Sequence, residues 1–369
     1  MHFPMPSKQG PSVLPDWVFR IGWGMPGAYA YLQLRMEAAQ LQTSMSQARL
    51  ARKRLNAAVA NRKRIRDPNN LRWAIKTSVP AGISGKGWGD LYFANEVAAS
   101  LKKLGHTARV DFRSDVIHAD SADDDVVLVL RGIERIRPQA NALNILWVIS
   151  HPDRISQNEF KSFDLVFAAS NAWAIDKTRS SGVEIRALLQ ATNPEKFHPD
   201  VSQPDTGDEI LFVGNTRNVY RKIIKDCVDS GVNPLIYGKG WDRFVSNDLI
   251  KGSFVQNDKL PGMYRSAGVV LNDHWPDMAK HGFLSNRLFD AVSSGGRVIS
   301  DYAVGIDEVF GNSVAVYTDA SNLAKLCLPA NRGSWGTQDE ITARARQVGI
   351  EHSFDQRAKL LVQAALANL

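Results

Sequence analysis

Cysteine is almost absent: the 369-residue chain has two, Cys227 and Cys327, far apart and with no ligand-type residues spaced around either. That argues against a disulfide framework and against a zinc site, and the expected setting is a reducing one, the cytoplasm. There is no run of about 18 apolar residues, the length a membrane-spanning helix needs. No uninterrupted apolar segment follows a basic start, which argues against a signal peptide. Short-period repeats and extended low-complexity tracts are missing too. Hydrophobic residues still make up 44% of the chain, enough for real cores, and the length suits two ordinary domains plus an extra segment.

Acid is also missing from one stretch. Between Arg49 and Arg66 stand Arg49, Arg52, Lys53, Arg54, Arg62, Lys63, Arg64 and Arg66 with no Asp or Glu, and this segment alone outweighs the net charge of +7. Residues 1–28 are rich in Pro and Gly and read as an irregular arm. From about Ala30 to Arg66 there is no Pro or Gly, which predicts one long helix. A partial heptad runs through Ala38, Met45, Arg52 and Val59, with Leu34, Leu41, Ala48 and Leu55 beside it. Such a helix suits packing on its own protein, self-association in a short coiled coil, or docking on an anionic membrane surface at the inner face. A basic helix also binds nucleic acid without specificity, but no reading motif accompanies this one, so no specific nucleic-acid partner is expected. Asp67-Pro68-Asn69-Asn70 ends the helix and closes a first segment, 1–70.

Short apolar runs then alternate with helical stretches. Candidate strands are Leu71–Val79, Ala108–Phe112, Asp125–Leu130, Asn144–Ile149, Asp164–Ala169 and Ile185–Gln190. After a polar linker at 201–208 the pattern restarts with Glu209–Gly214, Asn233–Tyr237, Gly268–Asn272, Arg297–Ser300 and Ser313–Tyr317. This alternation predicts parallel sheets covered on both faces, an α/β architecture of two Rossmann-like domains, 71–205 and 206–345, facing a cleft. A last segment, 346–369, carries a helix with Ala358, Leu361, Val362 and Ala365 on one side.

Chemistry-bearing residues gather where such strands end. The stretch Leu271–Asp301 reads as strand, polar loop, helix, glycine turn and strand, with Ser285 or Asn286 as the N-cap and Gly295-Gly296 as the stop. A helix N-terminus there binds anions through free N–H groups, and Arg287 adds a planar cationic fork. Asp290, one turn on, is placed to accept from sugar hydroxyls. Phe212-Val213-Gly214-Asn215-Thr216-Arg217 and Arg221 follow the first strand of the second domain. Ile236-Tyr237-Gly238-Lys239-Gly240-Trp241 ends the next one. In the first domain, Gly82-x-x-Gly85-Lys86-Gly87-Trp88-Gly89-Asp90 forms a glycine-rich turn before a helix. It lacks the Ser or Thr of a P-loop and does not spell G-x-G-x-x-G, so a nicotinamide-dependent oxidoreductase is disfavoured. Trp147-Val148-Ile149-Ser150-His151-Pro152-Asp153 ends a strand on His151 and Asp153, either of which has acid–base chemistry to offer. Asp123-Asp124-Asp125 reads as a strand-opening turn, not a metal site.

These motifs resemble the C-terminal half of GT-B glycosyltransferases, especially the spore-maturation CgeB-like branch. The likeness rests on Leu271-Asn272, His281-Gly282-Phe283, Ser285-Asn286-Arg287-Leu288-Phe289-Asp290-Ala291 and Gly295-Gly296, together with the Phe212–Arg217 and Ile236–Trp241 segments. It departs from the family in two places: Asp290 stands where the ribose-binding Glu is one methylene longer, and the first acid of the Glu-x7-Glu pattern is missing, with His281 near it. The resemblance implies a glycosyltransferase that uses a nucleotide-sugar donor and a glycan, lipid-linked glycan or protein acceptor, with no cofactor and no metal. The donor contacts implied are Gly214, Asn215, Arg217, Arg221, Gly238, Lys239, His281, Gly282, Phe283, Ser285, Asn286, Arg287 and Asp290. It places Gly87, Trp88, Gly89 and Asp90 at the cleft, and His151 and Asp153 in the catalytic role. It also implies that the last helix braces the first domain. The competing expectation is a non-catalytic scaffold of the same fold, assembling through residues 30–66.

Overall fold

The computed structural model describes residues 67–82, 85, 87–113, 117–199 and 207–369. The long helix expected over 30–66 lies outside the described residues. Outside residues 117–123, which hold the short 3-10 turn Ala119–Asp123, the described residues form one body of two lobes.

The first lobe is built on β1 (Arg72–Lys76), α1 (Gly89–Lys103), β2 (Thr107–Asp111), β3 (Val126–Arg131), β4 (Leu143–Val148), α2 (Gln157–Phe160), β5 (Leu165–Ala168), α3 (Asn171–Ser181) and β6 (Ile185–Ala187). Its six strands pair in the order β2-β1-β3-β4-β5-β6, all parallel. β3 and β4 are buried along their whole length, as unbroken apolar runs must be when helices cover both faces. Helical spacing puts Phe93, Val97 and Leu101 of α1 onto this sheet, with the Phe93 ring edge-on to Trp147 at 5.2 Å. The acids at the start of β3 anchor backbone and side chains. Asp125 accepts from the Arg72 N–H at 2.8 Å, and Asp124 accepts from both Arg109 and Gln139.

The second lobe repeats the plan. It holds β7 (Ile210–Val213), α4 (Lys222–Asp229), β8 (Leu235–Tyr237), β9 (Ile250–Gly252), α5 (Leu260–Ser266), β10 (Val269–Asn272), α6 (Pro276–His281), α7 (Asn286–Ser293), β11 (Val298–Ser300), α8 (Ile306–Phe310), β12 (Val314–Val316) and α9 (Ala320–Cys327). Its sheet runs β12-β11-β10-β7-β8-β9, again parallel. Two elements differ from expectation. β9 is an edge strand of three half-exposed or exposed residues, too short and too polar for an apolar run to reveal it. The loop expected after β10 contains α6, whose Pro276 at the first turn and left-handed Gly282 just past the end are ordinary helix punctuation. The two cysteines, distant in sequence, meet as free thiols in the buried core between α4 and α9.

The chain leaves the first lobe through 189–199 and returns to it at the other end. α10 (Gln338–Glu351) packs on α7, and α11 (Phe354–Leu366) packs its Ala358, Leu361 and Ala365 on α1. The two crossings are tied together: Thr192 N–H donates to His352 O at 2.9 Å, and Phe354 N–H donates to Thr192 O at 3.1 Å. Arg357 donates to the carbonyls of Leu189, Gln190 and Glu351, and to His352 Nδ1 at 2.7 Å. Burial first, then the neighbouring Arg357 charge, hold the His352 pKa down at about 4. The folded state therefore binds fewer protons at this ring than the unfolded chain, whose His titrates near 6.5. Its stabilising contribution is complete above that pH and is lost as pH falls towards 4, on the order of 2 kcal/mol for this partly exposed group. Denaturant midpoints measured from pH 7 to pH 4 should fall less steeply for His352→Gln than for the parent; parallel curves refute the assignment.

Candidate active site

Every strand of both sheets is parallel, so loops carrying polar residues collect at the carboxyl ends. At the end of β10, Asn272 donates to Ser300 Oγ at 2.9 Å. Its Oδ1 accepts from Ser285 Oγ at 2.7 Å and from Arg287 Nη1 at 3.0 Å. Two residues on, His274 Nδ1 meets Asp301 Oδ1 at 2.6 Å, while His274 Nε2 accepts the Ser285 N–H at 3.1 Å. Since a backbone N–H only donates, Nε2 is unprotonated and the proton sits on Nδ1. Burial would raise the Asp301 pKa, but the bonds from His274 outweigh it and hold it below the ordinary carboxylate range. This frame fixes the start of α7. Ser285 is its N-cap, as expected, yet its hydroxyl is spent on Asn272 and caps nothing. Among the described residues, the N–H groups of Asn286 and Arg287 have no acceptor.

Three guanidiniums meet in front of that helix end. Arg221 is 4% exposed and forms a two-pronged ion pair with Asp273, one arm at 2.8 Å, and also donates to Asn215 O. Arg221 and Arg287 lie over the Phe212 ring at 4.7 and 5.2 Å. Gly214 makes room for both: a Cβ there would stand 2.8 Å from one guanidinium and 3.0 Å from the other. Arg217 adopts a left-handed backbone, φ 59°, and lays its guanidinium over Trp275 at 4.5 Å. Arg217 is exposed to water, with the Arg221 and Arg287 charges close by. Burial, then repulsion from Arg221 and Arg287, lower its pKa to about 9, so it stays charged at neutral pH.

The neighbouring loop is held by backbone contacts. Gly238 has φ +152°, and a Cβ would collide with Gly214 O at 2.1 Å. Asn215 Oδ1 takes the Lys239 N–H at 2.8 Å, which leaves the Lys239 side chain exposed. Asp290 is committed to its own lobe and the crossing: it accepts from Thr192 Oγ1 at 2.8 Å and from Asn286 Nδ2 at 2.9 Å. Burial raises its pKa to about 7.

The expected His281-Gly282-Phe283 segment joins the lobes. His281 Nε2 meets Asp153 Oδ1 at 2.9 Å, and Ser170 Oγ donates to His281 O at 2.5 Å. Gly282 turns with φ +72°, where a Cβ would stand 2.7 Å from Val304 O. Phe283 is fully buried and sits in the first-lobe core against Trp173, ring centres 5.7 Å apart. Its side chain, expected among the donor contacts, packs there. His151, in a left-handed turn at the end of β4, meets Asp277 of α6 at 3.5 Å and the Trp275 ring at 5.5 Å. Burial, helped by Arg154 and Arg217, outweighs Asp277 and lowers its pKa.

On the first-lobe side Trp88 is the N-cap of α1, Gly89 opens that helix, and Gly87 lies beside Phe254 of the second lobe. Asp90, in the first turn of α1, faces Arg217. Sequence reasoning missed Trp275, which aromatic composition alone does not separate from a core residue. Nor does spacing single out Asp273 or Asp277, whose partners Arg221 and His151 stand far away in the chain. Among the described residues no group of three His, Cys, Asp or Glu is placed to hold a metal ion. None of the described helices is long and apolar enough to cross a membrane.

Two parallel six-stranded lobes with their strand ends turned to one cleft, and a last helix returning to brace the first lobe, define the GT-B fold. Residues 217–363 match a family described as glycosyl transferase-like. Solved structures with this architecture include a sucrose-phosphate synthase from Thermosynechococcus elongatus, 13% identical with a TM-score of 0.56 over 80% of this chain and 98% of that one. A glycosyltransferase from Rickettsia africae is 15% identical with a TM-score of 0.57, over 81% and 100%. An Anabaena protein solved in complex with UDP-glucose is 11% identical with a TM-score of 0.55, over 80% and 100%. At these identities the likeness is one of fold. No curated protein matches the sequence.

Proposed function

We propose that the protein transfers a sugar from a nucleotide-sugar donor to a hydroxyl of a glycan, lipid-linked glycan or protein acceptor. One observation carries the reading: Arg221 and Arg287 converge on Gly214, with Arg217 near enough to be repelled by both, beside the unbonded N–H groups that open α7. A diphosphate leaving group develops negative charge as the glycosidic bond breaks. Preorganised guanidiniums and N–H groups lower the barrier most where that charge appears. These groups also supply the positive charge that a divalent cation provides in other transferases, so the proposed reaction proceeds without one. In this reading the loops around Gly238–Lys239 receive the nucleoside, the α7 start receives the diphosphate, and the first lobe receives the acceptor. Incubation with UDP-, GDP-, ADP- and CMP-sugars, with and without crude glycan or lipid acceptors, should release the nucleotide from one donor. Silence across the whole panel, chelator present or absent, contradicts the proposal.

A further inference from the structure

Several acids and histidines at the cleft have partners that hold them. Asp153 is bonded to His281, His151 to Asp277, Asp273 to Arg221, Asp301 to His274, and Asp290 to Thr192 and Asn286. Asp90 differs. Among the described residues its carboxylate has no hydrogen bond and no ion pair, although it is only half exposed. It is seated where the loops after β1, β3 and β4 meet. A Cβ on the buried Gly132 would lie 3.0 Å from Asp90 Oδ2 and 3.6 Å from the Ser150 hydroxyl, so the carboxylate sits close against the bare backbone of that loop. The charged group facing it from the other lobe is Arg217, itself beside Arg221, Arg287 and Asp273.

We propose that Asp90 is the general base of the reaction and that Arg217 couples it to the donor. This rests on the glycosyl-transfer reading. The acceptor oxygen attacks the anomeric carbon, its proton passes to Asp90, and the bond from that carbon to the diphosphate oxygen breaks. The electron pair leaves with the nucleoside diphosphate, and Asp90 later returns its proton to water. Displacement in one step inverts the anomeric configuration. Burial raises the Asp90 pKa above the ordinary carboxylate range, and the facing Arg217 charge opposes part of that rise. Once a diphosphate lies against Arg217, its negative charge offsets the guanidinium, and Asp90 becomes a stronger base only when there is a leaving group to displace.

The test compares the full chain with Asp90→Asn and Asp90→Glu, using the donor found by nucleotide release. Asp90→Asn should lower kcat for transfer by about 10²- to 10⁴-fold. Thermal shifts with the free nucleoside diphosphate should stay at least as large as the parent's, because Arg217 is then released to the phosphate. The parent's rate should rise with pH along a single limb that Asp90→Asn lacks and Asp90→Glu restores in part. Transfer by Asp90→Asn within a few-fold of the parent, or an acid limb that survives it, overturns the proposal. So does a product that retains the donor's anomeric configuration. A parent that releases no nucleotide from any donor instead defeats the glycosyl-transfer reading beneath it.

Discussion

Arg287→Ala is expected to weaken nucleoside diphosphate binding by about 10- to 150-fold, the loss of one charge-assisted contact of about 1.5–3 kcal/mol. The fold should survive it. Arg287 is bonded to Asn272, but Asn272 keeps Ser300 and Ser285 when the guanidinium goes. Arg221→Ala is a different experiment. Its partner Asp273 is nearly buried, and truncating one member of such a pair strands the other charge at a cost of about 3–5 kcal/mol. Lost binding in that variant would report unfolding as much as recognition. Calorimetric titration of Arg287→Ala with UDP, GDP, ADP and CMP, beside a urea midpoint, separates the two. Unchanged affinity with the nucleotide that binds the parent means the diphosphate lies elsewhere and the arginine cluster is architecture.

What was legible in the sequence was whatever depends on near neighbours. The start of α7 shows this: Ser285, then Leu288, Phe289 and Val292 at helical spacing, then paired glycines, are local signals, and the helix runs Asn286–Ser293. α6 had equally local marks in Pro276 and Gly282, but the polar residues between them drew the reading towards a loop. β9 had no mark at all, because an edge strand that buries little needs no apolar run. Partnerships were the illegible part. Asp153 with His281, Thr192 with Asp290, and Asp90 facing Arg217 each join residues from opposite ends of the body, and no spacing rule connects them. That is why the sequence reading puts the catalytic role at the end of β4, on His151 and Asp153, and places Asp90 only at the cleft. Only the tertiary structure shows that Asp153 is already engaged while the Asp90 carboxylate stands open. Asp290 follows the same logic, since its partner across the crossing, Thr192, is one that sequence cannot nominate.

Phe283→Ala should produce the largest loss of stability, about 3–5 kcal/mol, the cost of emptying a fully buried aromatic site. The site's location gives the loss a second signature. Phe283 belongs by chain to the link between α6 and α7, yet its ring fills the first-lobe core beside Trp173 and Met278. It is a plug of one lobe in the other, flanked by the Ser170–His281 and Asp153–His281 bonds. Each lobe keeps its own sheet and its own apolar core when the plug is removed. Urea unfolding followed by tryptophan fluorescence and by far-ultraviolet dichroism should therefore lose its coincidence in Phe283→Ala, with a shallower first transition than in the parent. Nucleotide affinity should persist below that transition, because the α7 start is held by Asn272 and by His274 on Asp301, both within the second lobe. A midpoint shift with the two probes still superimposed would mean the lobes unfold as one unit without the plug, and that their coupling runs through the Arg357 crossing instead.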